Sequence, residues 1–255
     1  MPTVKTARAE IHYKDYRKEA SDSPPVVLVH GAGSQHLDWA IKTCRGLNAL
    51  ALDLPGHGKS PIPGRDTISA YAEDVKVFAE ALELDAFVLV GHSMGGAIGQ
   101  QFALDYPDRL RGLVLIATGA RLMVNDAILN GITETPQATA DLIMKWAWSK
   151  TADSNFKTQG AARLLETPTD IILGDYAACN GFDVRERLHK ISTPTLVISG
   201  THDKMTPLTW NRVIAEGIPH SKIEVIENQS HMLHLECPEQ VTQMIETWLR
   251  ETIIT

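Results

Sequence analysis

The sequence predicts an α/β domain: a mostly parallel sheet with helices on both faces, interrupted by one helical insertion. Three observations carry this expectation. Short apolar runs recur between turn residues, helical periodicity fills most of the stretches between them, and the segment from Arg121 to Glu186 has no strand pattern.

The apolar runs are Val26 to Val29, Leu47 to Leu52, Phe87 to Val90, Leu113 to Ala117, Thr195 to Ser199 and Ile223 to Ile226. Several are unbroken Val, Leu and Ile. Strands covered on both faces have no need of polar alternation, so this is the pattern of a parallel sheet between helical layers. From Ile68 to Leu84, Tyr71, Val75, Phe78 and Leu82 recur at three or four residues, and Val241, Ile245, Trp248 and Leu249 do the same after Pro238. Gly96 to Tyr106 reads as a helix stopped by Pro107, and Thr206-Pro207 as a cap and first-turn proline opening another. Only a short first helix fits between Trp39 and Leu47. In the strand-free segment, helices start at Thr135-Pro136 and Thr167-Pro168. The expected organisation is a core of residues 1–120 and 187–255 with a lid of residues 121–186. Leu142, Ile143, Trp146, Phe156, Leu164, Leu165, Ile171, Ile172 and Tyr176 supply its apolar packing.

Composition narrows the function classes. The 255 residues carry 24 basic and 31 acidic side chains, a formal charge of −7, without long runs of one sign, which argues against a nucleic-acid partner. Cys44, Cys179 and Cys237 are odd in number and widely spaced, which suits buried free thiols rather than a zinc or dithiol site. Met1 to Tyr16 alternates charged and apolar residues without a secretory h-region, and no apolar run approaches the roughly 18 residues of a membrane span. A cytoplasmic location is expected.

Chemistry concentrates at Gly91-His92-Ser93-Met94-Gly95, between the run Phe87 to Val90 and a helix. Glycines on both sides permit a tight turn that lifts the serine hydroxyl clear of the sheet, and the helix N-terminus faces developing negative charge. A bare Gly-x-Ser-x-Gly arises by chance in roughly one chain in ten of this length, so the strand-turn-helix context carries the weight. A serine needs a base within hydrogen-bond reach, and an imidazole with its ordinary pKa near 6.5 suits the task. His231, after the last predicted strand, is the candidate and His234 its rival. Asp203, just past Thr195 to Ser199, is the candidate acid that orients the imidazole.

Other motifs fail on spacing. Gly58-Lys59-Ser60 resembles the end of a phosphate loop, yet Asp53 stands where its first glycine belongs. Gly31-Ala32-Gly33 has His36 in place of a third glycine. His231 and His234 lack the zinc pattern His-Glu-x-x-His, so no metal is expected.

Five segments in order resemble the α/β-hydrolase family, in its serine hydrolase and esterase branch. Val26 to Gly31 with Ala32-Gly33 resembles its strand and His-Gly loop, and Asp53 to Ser60 its Asp-x-Pro-Gly-x-Gly-x-Ser loop. Ser93 occupies the nucleophile turn, Gly200-Thr201-His202-Asp203 is similar to its acid loop, and Asn228 to Pro238 to its histidine loop. Ser230 departs from the glycine often found before the histidine. The resemblance implies Ser93, Asp203 and His231 as catalytic residues and the backbone amides of Ala32 and Met94 as the oxyanion site. It implies no cofactor. The expected activity is hydrolysis of carboxylic esters of small to medium, partly apolar small-molecule substrates through an acyl-enzyme. Carbon-carbon hydrolysis, hydroxynitrile cleavage, perhydrolysis, acyl transfer and a small-ligand receptor stay open as alternatives.

Overall fold

Eight strands form one sheet in the order β1-β2-β4-β3-β5-β6-β7-β8 in a computed structural model that describes residues 2–18 and 23–254. Strands β1 (Thr3–Lys5) and β2 (Glu10–Asp15) precede β3 (Val26–Val29), helix α1 (Ile41–Gly46) and β4 (Ala49–Leu52). Helix α2 (Ile68–Ala81), β5 (Phe87–His92), α3 (Met94–Asp105) and β6 (Leu110–Ile116) follow. Four helices then come in succession: α4 (Asp126–Glu134), α5 (Pro136–Ala147), α6 (Ser154–Glu166) and α7 (Thr169–Asn180). The chain returns through β7 (Thr195–Gly200), α8 (Leu208–Gly217), β8 (Ser221–Ile226), the single turn α9 (Leu233–Glu236) and α10 (Pro238–Thr252). From β4 to β8 every pairing is parallel; β1 and β2 are antiparallel additions at one edge.

The unbroken apolar runs follow from two-sided burial. Along β5, Phe87 and Leu89 pack with Tyr71 and Phe78 of α2 and with Ile98 and Phe102 of α3. Val88 and Val90 point the other way, into the cluster built with Val241, Ile245 and Trp248 of α10. A helical layer therefore covers each face, and the helices hold the strands' carboxyl ends, where the long loops emerge, in fixed register.

Two strands went unread in the sequence. β1 and β2 lie in the stretch whose charged and apolar residues alternate, and His12 of β2 looks out of place in a core until its partner is seen. Its backbone amide donates to Ser60 Oγ at 2.9 Å and its Nδ1 lies 2.8 Å from Asp53 Oδ2.

The ends of the α4–α7 segment are pinched together: Arg121 forms an antiparallel bridge with Asp183, and Val184 N–H donates to the Ala120 carbonyl at 2.8 Å. Ile128, Ile132, Ile143, Leu164, Ile172 and Tyr176 form its own apolar cluster. Phe156 and Leu165, expected inside, are exposed. Pro136 takes the first turn of α5 as expected, and Pro168 caps α7. Among the described residues no helix is long and apolar enough to cross a membrane.

Candidate active site

Ser93 is the single residue between β5 and α3, and its backbone is strained, with φ 54° and ψ −117°. Such a conformation costs of order 1–3 kcal/mol and persists only when the surroundings enforce it. Here they do. Ser93 N–H donates to the Ile116 carbonyl at 3.0 Å, and its own carbonyl accepts the Thr118 hydroxyl at 2.7 Å. The flanking glycines are required by contact: a Cβ on Gly91 would lie 2.1 Å from the Gly95 carbonyl oxygen, and one on Gly95 equally close to that of Val29.

Met94 opens α3, so its N–H has no acceptor inside the helix. Ala32 is held differently. The buried His30 accepts the Leu54 N–H on Nε2 at 3.0 Å, which leaves Nδ1 as the protonated nitrogen, donating to the Gly31 carbonyl at 2.8 Å. Because the peptide is planar and trans, fixing the Gly31 carbonyl aims the Ala32 N–H the opposite way. Burial pushes the His30 pKa down to about 4, so the ring stays neutral and keeps this tautomer.

Asp203 and His231 form a buried pair, Oδ2 to Nδ1 at 2.9 Å. Asp203 Oδ2 also accepts the Thr206 hydroxyl at 2.8 Å, while Oδ1 accepts the amides of Met205 at 2.8 Å and Thr206 at 2.9 Å. Burial alone would raise this carboxyl's pKa, but His231 and Thr206 outweigh it and hold it below the ordinary carboxylate range. The expectation that Thr206 caps the next helix is corrected. Its hydroxyl is spent on Asp203, and Pro207 takes the cap position of α8.

The histidine loop is tied on several sides. His92 Nε2–H donates to the His231 carbonyl at 3.1 Å, and Met232 N–H to the Ala147 carbonyl at the end of α5 at 3.0 Å. Ser230, the departure from glycine, reaches the carbonyls of His202 at 3.3 Å and Trp146 at 3.4 Å. It joins the acid loop, the histidine loop and α5. His234 packs its ring 4.1 Å from that of His92 and donates Nε2–H to the Asp38 carbonyl at 3.0 Å. Burial pushes His234 down to about 4 and, with the neighbouring imidazoles, holds His92 well below its ordinary value. Of these three rings only His231 meets a carboxylate.

Ser93, His231 and Ala32 line one cavity of about 770 Å³. Its remaining wall is largely apolar, with Leu122, Ile128, Trp148 and Phe156 from the segment between Arg121 and Asp183 and Trp210 from the core side. Arg163 of α6 closes one side through an ion pair to Asp38 at 2.7 Å. Cys44 and Cys179 are buried, and Cys237 is half-buried; all three thiols are free.

Two further carboxylates anchor the loops. The donor atoms of His12, His36 and Asp53 lie within 4.8 Å of one another, close enough to suggest a metal. Yet each imidazole Nδ1 lies 2.8 Å from its own Asp53 oxygen, and the amides of His36 and Lys59 donate to the same pair of oxygens at 2.7 and 3.0 Å. The carboxylate's lone pairs are thereby taken up in tying β2, β4 and two loops together. The second anchor is Asp175 with His57, both fully buried and 2.8 Å apart. His57 Nδ1 faces the Pro55 carbonyl at 3.1 Å and Nε2 faces Asp175, so both nitrogens carry protons. Burial opposes that charge, but Asp175 outweighs it and raises the pKa above the ordinary 6.5.

A raised histidine pKa contributes stability in full below the unfolded value and loses it as pH rises through the folded one. Thermal melts should therefore show Tm falling as pH rises above about 7, and a His57→Gln chain should lack that part of the slope. An unchanged slope in the variant would contradict the assignment of charge to His57.

Sheet order, strained turn and carboxyl-end loops together define an α/β-hydrolase type of enzyme fold. The chain belongs to the alpha/beta hydrolase family, whose model matches residues 26–244. It is 29% identical to 3-oxoadipate enol-lactonase 2 of Acinetobacter baylyi, over 90% of each chain. Against the solved structure of a thermophilic esterase from Thermogutta terrifontis it is 28% identical with a TM-score of 0.87, covering 99% of this chain and 98% of that one. An enol-lactonase from Burkholderia xenovorans shares the fold at a TM-score of 0.90 and 24% identity, covering 98% and 100%.

Proposed function

We propose that the protein is a serine hydrolase that cleaves carboxylic esters of small to medium, partly apolar substrates through an acyl-enzyme. The observation that carries this reading is the buried Asp203–His231 pair on the cavity that holds Ser93 on its strained turn. In the mechanism, His231 removes the Ser93 proton as Oγ bonds to the ester carbonyl carbon. The carbonyl oxygen becomes an oxyanion held by the Ala32 and Met94 amides, and Asp203 balances the imidazolium. Collapse expels the alcohol, which takes the proton from His231. Water then adds by the same route and releases the acid, restoring Ser93.

The cavity supports the substrate class, since its volume falls within the roughly 300–1,000 Å³ of small-ligand sites and its wall is mainly apolar. Residues 121–186 act as the lid over a core of residues 1–120 and 187–255, and they supply much of that wall. Three free thiols suit the reducing cytoplasm. A lactone, as a cyclic ester, would follow the same steps, and the relative named as an enol-lactonase favours including it.

The test is a fluorophosphonate probe followed by a panel of p-nitrophenyl acyl esters and lactones. One label per chain on Ser93, with turnover of short to medium acyl esters, is expected. A labelled chain that turns over no ester or lactone would overturn the ester reading.

A further inference from the structure

We propose that Asp175, carried by α7 of the insertion, is a positioning residue for the oxyanion loop, so that the insertion itself completes the geometry of the Ala32 amide. The inference rests on the reading of Ala32 as an oxyanion donor.

The loop after β3 has little to hold it by its own side chains, because Gly31, Ala32 and Gly33 offer none beyond a methyl. Each of its two central peptides is instead gripped from outside. His30 holds the Gly31 carbonyl, as described above. On the far side, Gly33 N–H donates to Asp175 Oδ2 at 2.8 Å, which fixes the peptide between Ala32 and Gly33. With both peptides hydrogen-bonded, the two dihedrals of Ala32 between them are restrained. Gly33 has a φ of 63°, and a Cβ there would lie 2.3 Å from Leu164 of α6.

The carboxylate is built for this position. Oδ2 meets the His57 imidazolium as well as the Gly33 amide, and Oδ1 accepts the Tyr71 hydroxyl at 2.6 Å. Tyr71 is oriented in turn by the Arg65 amide, which donates to its oxygen at 3.1 Å. Close packing brings the acid in. A Cβ on Gly174 would lie 2.7 Å from the Arg65 carbonyl oxygen, so only glycine lets α7 approach closely enough for Asp175 to enter the core. Ile171, one turn earlier, packs where Gly56 and Gly64 leave room. A buried charged pair is an expensive way to hold a helix, since apolar residues of similar volume serve at least as well. A charged acceptor on the loop amide is what it provides beyond packing.

The test measures the second-order rate of Ser93 labelling by a fluorophosphonate in the full chain, because phosphonylation needs the nucleophile and the oxyanion amides but no turnover. Asp175→Leu keeps about the same volume and removes both the charge and the acceptor of the Gly33 amide. Asp175→Leu with His57→Gln removes the acceptor together with the imidazolium, and is the variant measured if the single one, with its unpaired imidazolium, melts. The expected result is a labelling rate at least tenfold below wild type in the folded variant, with one label per chain at completion. Where an ester is turned over, kcat should fall in parallel and KM should stay within about threefold, a split that a general loosening of the cavity would not give. A folded variant labelled within twofold of the wild-type rate overturns the proposal and leaves the ester reading intact. A wild-type chain that takes no label overturns both.

Discussion

Replacing Ser93 with alanine is expected to lower kcat for a p-nitrophenyl acyl ester by about four to six orders of magnitude. The acyl-enzyme route ends when Oγ is removed, and the oxyanion amides alone leave a small residual rate with water as nucleophile. Stability should hardly change. The backbone bonds that fix the turn, to Ile116 and Thr118, do not involve the hydroxyl, and alanine tolerates the positive φ no worse than serine. A change within about 0.5 kcal/mol, or 1–2 °C in Tm, follows. Full ester turnover by a Ser93→Ala chain would sink the mechanism, and a collapse of Tm would mean the loss had been read from an unfolded protein.

Asp203→Asn is expected to cost about 10³- to 10⁴-fold in kcat, and the reason lies in its neighbours. The amides of Met205 and Thr206 both donate to Oδ1. An asparagine must therefore present its carbonyl oxygen to them and its NH₂ to His231 Nδ1. The imidazole can accept that donor only if its proton moves to Nε2, the nitrogen that must take the Ser93 proton. The base is lost although its position is kept. Steady-state kinetics with a melt on the same sample would check it; a kcat within tenfold of wild type would mean that Asp203 does not set the tautomer.

Much of this was legible in the sequence for identifiable reasons. Two-sided burial writes itself into unbroken apolar runs, so β3 to β8 were visible, whereas the alternating β1 and β2 were not. Ser93 stood out because its turn demands glycines at fixed spacing, and those demands are visible as backbone contacts at Gly91 and Gly95. Asp203 and His231 followed from chain order and loop motifs, and the structure brings them together. His30 lay inside a quoted motif, but its task depends on a tautomer set by the Leu54 amide, which no motif contains. Thr206 read as a helix cap because the same residue type serves both purposes. Asp175 left no signal: its partner Gly33 is 142 residues away, and an acid on a helix face ordinarily belongs to solvent.

The pinched ends at Arg121 and Asp183 bear on how such a chain can diversify. Because the two ends of the segment meet each other at one bridge, the rest of the chain experiences it as a loop of fixed span, whatever its length or contents. On the proposed reading of residues 121–186 as a lid, exchanging a cassette cut at that pinch would exchange much of the cavity wall with it. Asp175 limits the trade. A transplanted cassette that closes neatly but brings no acid to the Gly33 amide would deliver a new binding surface to a slackened catalytic loop, so new specificity and retained rate would have to be selected together.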